Sequence, residues 1–406
     1  PFVYSDRQAA ALWVGDLEGT STADGLDLWM LDKGGGWLQV PTVVGPERPA
    51  FPYAGSFLPG RVSELWVDTP ASVALPGQVM LATVQASQGS LRAAVGTSAG
   101  NPLGSSTPGG AGFEQVGFLC PAGGTCRIAL SLRAADLWSG GAIPFTLNMQ
   151  EAALHLVDTL VLPVPAEDMV LYREALVLVG PLGLGVLNPA TLEWLSFAMG
   201  QGLTAAQAVA PCGAYLCLAH LGLSGLQVLD LSNPADPRLR GGASALGPGW
   251  DVTAAGRRVF VAHGIQGVGV YDLDGQGRPT FRQTLGTGGV LRSVAAKGAV
   301  LVAARQAGVV RLFRLGETIQ PAGSIQGFGQ IERVRFVGGR LWILSRKNKQ
   351  ADQVDIYAVD DPDAPRHLGR ITQDAARTFR SQWLGTRVYA TSGLGHLLEV
   401  SRVEGL

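Results

Sequence analysis

Asp168, Gln207, Asp251, Arg292, Arg333 and Arg380 each stand eight residues ahead of a position in an apolar run, namely Leu176, Tyr215, Val259, Val300, Leu341 and Val388. All six are polar and five are charged. If a repeating fold carries them to one place, two chemistries are open. Three guanidiniums facing two carboxylates would make an anion or carboxylate pocket, because each guanidinium offers a planar fork of N–H donors. Alternatively, Asp168 and Asp251 pair with the arginines and the set is a structural ion network. The structural reading is preferred, since ion networks also perturb and cluster charges without any ligand.

The remaining chemistry-bearing residues are sparse. Of five histidines, His220 and His263 follow apolar strands, His367 falls on an outer strand, and His155 and His396 are isolated. None has the spacing of a metal site, so no metal or cofactor is expected. There is no Gly-x-Ser-x-Gly elbow, and Gly180-Pro-Leu-Gly-Leu-Gly leads into a strand rather than a helix. Asp272, Asp274 and Gly277 resemble half of a calcium loop, but the downstream bidentate glutamate is missing and a turn explains them better. Exposed Trp66 or Trp138 rings could stack on a sugar, although tryptophan in a β-sandwich more often fills its core. No catalytic residue is assigned.

The elements that would position these residues are set by a repeat. Gly225-Leu-Gln-Val-Leu-Asp-Leu-Ser-Asn-Pro-Ala-Asp-Pro237 reads as a buried strand followed by turn chemistry. The layout returns around Pro279, Pro321 and Pro365, at intervals of 42, 42 and 44 residues. A period of about 40–45 residues with short strands is that of a β-propeller blade, whose inner strands line a central channel. Blades are expected near 168–198, 205–243, 249–286, 290–326, 330–371 and 377–406, with residues 1–44 as a further blade at the N-terminus.

From 45 to 150 the repeat stops, and alternating strands separated by turn residues suit a β-sandwich spliced into the ring. The expected fold is therefore all-β: a seven-bladed propeller with an inserted sandwich, and the remaining six blades in 151–406. The seventh blade ends at Leu406 before its outer strand. Either Pro1–Ser5 supplies that strand or the edge stays open for a strand from another subunit, and the open edge is preferred.

With 31 basic and 32 acidic residues the net charge is −1, which gives no reason to expect a nucleic-acid partner. No run of 18 apolar residues is present to span a membrane as a helix. Cys120 and Cys126, and likewise Cys212 and Cys217, flank short turns. Two disulfides fit this better than zinc and imply an oxidising compartment. The chain opens at Pro1 without a leader, which fits either removal of a signal segment or a trimmed N-terminus.

Trp250 to Asp274 and Gly225 to Gly242 resemble LVIVD-type repeats, and the likeness extends over about 165–406. At the Asp230 position, Arg314 and Ala358 depart from the pattern. The resemblance implies a propeller in a bacterial or archaeal secreted or surface protein, mostly without a known reaction. A non-catalytic interaction or structural subunit is therefore expected outside the cytoplasm, with a protein partner or self-assembly, and carbohydrate as a further ligand of the sandwich. A ligand-binding protein, hydrolase or lyase using the charged ring is the alternative.

Overall fold

In a computed structural model of the chain, the described residues are the strand backbone at 9–14, 28–32, 37–40 and 42–47, then 52–57, 62–68, 78–86, 91–97, 102–105, 113–119, 126–132 and 142–405. Within the last range 164, 200–202, 204, 223–224, 245, 338, 347–351, 373–378 and 393–394 are excepted. The fold is all-β, and the chain divides into two units. One comprises Pro1–His155 with Trp383–Arg387 and Val403–Leu406; the other comprises Leu156–Gln382 with Val388–Arg402.

In the first unit, β1 (Ala9–Val14), β2 (Leu28–Asp32) and β3 (Trp37–Val40) form a three-stranded antiparallel sheet. This is the segment expected as a propeller blade, but it groups with the N-terminal unit. A second sheet runs β4 (Thr42–Glu47), β6 (Val62–Asp68), β11 (Cys126–Leu132), β8 (Leu91–Thr97), β9 (Pro102–Ser105). A third contains β10 (Phe113–Leu119), β7 (Val79–Ala86) and the start of β12 (Ile143–Val161), with β5 (Tyr53–Phe57) also on β12. Strict alternation along β12 buries Ile143, Phe145, Leu147 and Met149. These meet Leu65, Val67, Ile128 and Leu130 of the second sheet in one core, as the two inner faces of a sandwich do.

The second unit holds five four-stranded antiparallel blades. The first is β13 (Asp168–Tyr172), β14 (Ala175–Gly180), β15 (Gly183–Leu187) and β16 (Trp194–Met199). The next is β17 (Ala206–Cys212), β18 (Tyr215–His220), β19 (Leu226–Asp230) and β20 (Arg238–Ala243). Then come β21 (Asp251–Ala255), β22 (Arg258–Ala262), β23 (Val268–Leu273) and β24 (Pro279–Leu285). The fourth is β25 (Leu291–Lys297), β26 (Val300–Arg305), β27 (Val309–Leu315) and β28 (Ile319–Ile325). The fifth is β29 (Gln330–Val337), β30 (Arg340–Arg346), β31 (Gln353–Ala358) and β32 (Arg366–Ile371).

Second strands such as β14 are buried along their whole length, whereas outer strands such as β24 are largely exposed. Alternate faces of each blade pack on the blade before and the blade after. Val259, Val261 and Tyr271 thus join the core of the second blade, while Phe260, Ala262 and Val270 join that of the fourth. The loop between first and second strands repeats one conformation. Arg173, Gly213, Gly256, Gly298 and Gly385 all have positive φ, which glycine adopts at no steric cost in a two-residue hairpin loop.

After the fifth blade come β33 (Gln382–Leu384), β34 (Arg387–Ser392) and β35 (Leu397–Gly405). Their sheet runs β33-β34-β35-β12, so the end of β12 lies outside β35, and the Leu162 N–H donates to the His396 carbonyl at 2.8 Å. This corrects two expectations. Among the described residues there are five blades and this further sheet, not seven blades. The outer strand missing from the C-terminal repeat is provided within the chain by the end of β12, so β35 has no open edge for a neighbouring subunit. Pro1–Ser5 lie outside the described residues. No helix among the described residues is long and apolar enough to cross a membrane.

Candidate functional site on the inner strands

Asp168, Asp251 and Arg333 come from the first, third and fifth blades, yet they touch. Arg333 Nη1 and Nη2 donate to Asp168 Oδ1 and Oδ2 at 2.8 and 2.9 Å, and Nη2 reaches Asp251 Oδ1 at 3.4 Å. Three non-adjacent blades meet in this way only at the centre of the ring. The carboxylate oxygens are also bound by neighbouring blades. Asp168 Oδ2 accepts from the Val209 N–H at 2.9 Å, and Asp251 Oδ2 accepts from the Val294 N–H at 3.0 Å and from the Ser293 hydroxyl. Ser293 Oγ in turn accepts from the Val334 N–H at 3.0 Å. One rule covers all three amide bonds: a side chain on an inner strand accepts from the next blade, one residue beyond the equivalent position.

That rule fixes the repeat register, and it differs from the spacing used on the sequence. Five residues before the positive-φ loop position stand Asp168, Ala208, Asp251, Ser293 and Arg380. In the second and fourth blades the sequence alignment was one residue off, at Gln207 and Arg292. Both sit at register shifts, between Ala206 and Ala208 and between Leu291 and Ser293. The slip itself arises at the other end of the count: Tyr215 and Val300 stand two residues after their positive-φ loop residues, where Leu176, Val259 and Val388 stand three after theirs, and one residue reverses the face a side chain points to. Arg292 accordingly lies over the Trp250 ring, 4.4 Å from its centroid, and Gln207 takes no part in the network. Arg380 has the right offset, but its backbone is helical and its guanidinium donates to Glu332 at 3.3 Å near solvent. Of the six expected ring residues, three converge and Gln207, Arg292 and Arg380 do not.

The sequence reading missed Ser293 and Arg335. Counting from the hairpin glycine instead of the apolar run would have found Ser293. Arg335 follows Arg333 by two residues on the same face of β29, and its guanidinium is 4.7 Å from the Phe379 ring centroid. Burial lowers the Arg335 pKa to about 10, against the opposing pull of Asp168. Burial would lower Arg333 as well, but Asp168 and then Asp251 outweigh it and raise its pKa. Burial pushes the Asp251 carboxyl up, partly offset by Arg333 and by the Ser293 hydroxyl. Asp251 is 7% exposed. Two carboxylates therefore face two guanidiniums, and both Asp251 oxygens are occupied by donors from the protein itself. The arrangement holds blades together and offers little to an incoming anion.

Elsewhere the singled-out residues also have structural partners. His263 is buried between the Pro248 carbonyl (Nδ1, 3.0 Å) and the Tyr271 hydroxyl (Nε2, 2.8 Å), and burial lowers its pKa. His367 reaches Asp355 at 3.1 Å, and His155 lies 4.0 Å from Glu404. His220 Nδ1 accepts from the Gly222 N–H at 2.9 Å, and His396 is exposed. Asp274 caps its own turn, accepting from Gln276 and Arg278 N–H groups at 2.8 Å, while Asp272 pairs with Arg282. Asp230 pairs with Arg240 at the same ten-residue offset, so the repeat aspartate ties third strand to fourth. Among the described residues no cluster of three or more His, Cys, Asp or Glu could hold a metal. Cys212 and Cys217 form a disulfide across the β17–β18 hairpin. Cys120, the side chain of Cys126, Trp138 and the side chain of Trp66 lie outside the described residues.

Comparison with protein-family models gives no match, and neither does comparison with curated proteins. Solved structures similar to the chain include a Saccharomyces cerevisiae complex of Dbp5 with Nup159 and Gle1, and the N-terminal domain of Nup159. Each has 8% identity and a TM-score of 0.42, and the match covers 63% of this chain and 96% of the other.

Proposed function

We propose that the chain is a non-catalytic interaction or structural subunit that works outside the cytoplasm. The observation that carries this reading is the closed charge set at the centre of the ring: Asp168 and Asp251 are balanced by Arg333 and Arg335, and the carboxylates are bridged to neighbouring blades. The alternative, an anion pocket or hydrolytic site in the channel, relied on Arg292 and Arg380, and both are engaged elsewhere. The working surface lies on the rim. On the end of β12, Leu156, Val157 and Val161 are exposed, Val161 to 70%, and Trp194, Leu195 and Phe197 are partly exposed on β16. Exposed apolar residues on strands of this kind suit a protein partner or a second copy. The Cys212–Cys217 disulfide and the resemblance to LVIVD-type repeats support the extracytoplasmic setting.

Light scattering on the protein purified from its own source tests the proposal. A particle well above the 42.3 kDa of one chain is expected. A monomer that turns over a small substrate would overturn it.

A further inference from the structure

Many propeller arginines are paired with carboxylates, as Arg238, Arg240, Arg282, Arg314 and Arg340 show. Arg305 and Arg311 on the fourth blade are different. Among the described residues neither has a carboxylate partner, and the Arg305 Nε is buried without a hydrogen-bond acceptor. Register brings the two together. Arg305 pairs with Val309 and Arg311 with Ala303, so the arginines are diagonal neighbours on one face of β26 and β27.

Both lie beside the Gly288–Gly289 bend. A Cβ on Gly289 would stand 2.6 Å from Arg305 Nε and Nη2, and one on Gly288 would stand 3.9 Å from an Arg311 Nη. Gly289 therefore leaves the space that lets the Arg305 guanidinium lie flat against the chain. The same two arginines line a cavity of about 390 Å³, together with Ser324 and Gln326. Every side-chain donor named here is cationic or neutral, and the two arginines supply a charge of +2.

We propose that Arg305 and Arg311 form a binding site for a doubly charged tetrahedral oxyanion, the phosphate group of a monoester. Two guanidinium forks match the several oxygens of such a group, and a dianion compensates both charges where a single carboxylate would leave one uncompensated. Ser324 Oγ and the Gln326 amide add neutral donors. The cavity exceeds the size of the anion alone, which leaves room for the molecule that carries it. This site is separate from the inner-strand network and does not depend on the proposed function.

Isothermal titration of the full chain with sodium phosphate, sodium sulfate and sodium acetate, at constant ionic strength set by chloride, tests the assignment. The expected result is saturable one-site binding of phosphate or sulfate, at least tenfold weaker in Arg311→Gln and absent in Arg305→Gln/Arg311→Gln. Because Arg311 is exposed, its single variant keeps the test valid if the double variant misfolds. Arg238→Gln, on another blade, should bind as the parent does. No saturable binding, undiminished binding in Arg311→Gln, or acetate binding as well as the dianions would overturn the proposal.

Discussion

Replacing Arg333 with methionine keeps much of the side-chain volume and removes a residue that links the first, third and fifth blades. Asp168 loses two bonds of 2.8 and 2.9 Å, and Asp251 loses one of 3.4 Å. The carboxylates retain their amide donors but remain partly desolvated, and removing one member of a buried pair costs about 3–5 kcal/mol. Because Asp168 keeps some contact with water, the lower end is expected, about 3 kcal/mol at pH 7.

The loss should depend on pH. The folded Asp251 carboxyl already titrates above its usual 3.8, and without Arg333 it rises further. A raised folded pKa means the folded state takes up the proton first, so stability is regained as pH falls through that pKa. The penalty at pH 4.5 should therefore be smaller than at pH 7. Adding Asp251→Asn to the variant should recover about 1–2 kcal/mol at pH 7 by removing the orphaned charge. Urea unfolding of the full chain, followed by tryptophan fluorescence, measures all of this, since Trp342 is fully buried in the propeller. A loss below about 1 kcal/mol, or the same loss at both pH values, would refute the structural reading of the network.

Three further outcomes are expected. Arg240 and then the Ser232 N–H hold the Asp230 carboxyl at about 2; its contribution is present above pH 3.8 and lost as pH falls through about 2. Arg240→Met should therefore lower stability in urea unfolding at pH 7 and leave it unchanged at pH 1.5. Cys212→Ser/Cys217→Ser should lower stability by about 2 kcal/mol, small because the closed loop is short, and calorimetry under non-reducing conditions checks it. Tyr271→Phe removes the hydroxyl bonded to His263 Nε2 and should cost about 1–2 kcal/mol by thermal unfolding, with the fold unchanged by circular dichroism.

Blade boundaries were legible because turn chemistry is local. Asn233-Pro234, Asp236-Pro237 and the hairpin glycines mark strand ends wherever they occur, and the five blades fall within a few residues of the expected ranges. The inner-strand side chains were only half legible. Asp168, Asp251 and Arg333 were found, but an apolar run does not mark its own first residue, and counting from Tyr215 and Val300 in place of Leu216 and Leu301 was a slip of one residue, enough to exchange Ser293 for Arg292. Closure of the last sheet was not legible at all. Its outer strand comes from residues some 240 positions earlier, on a strand of 19 residues whose first part belongs to the sandwich. Pairing at such separation depends on tertiary geometry that no window of sequence contains.

Hydrogen–deuterium exchange on the chain in its native assembly and on the isolated chain tests the central claim most directly. If the protein acts through its rim, assembly should slow exchange in Leu154–Val161 and Trp194–Met199 and leave the inner strands Leu291–Lys297 and Gln330–Val337 unchanged. Slowing confined to the inner strands, or no difference between the two samples, would contradict it.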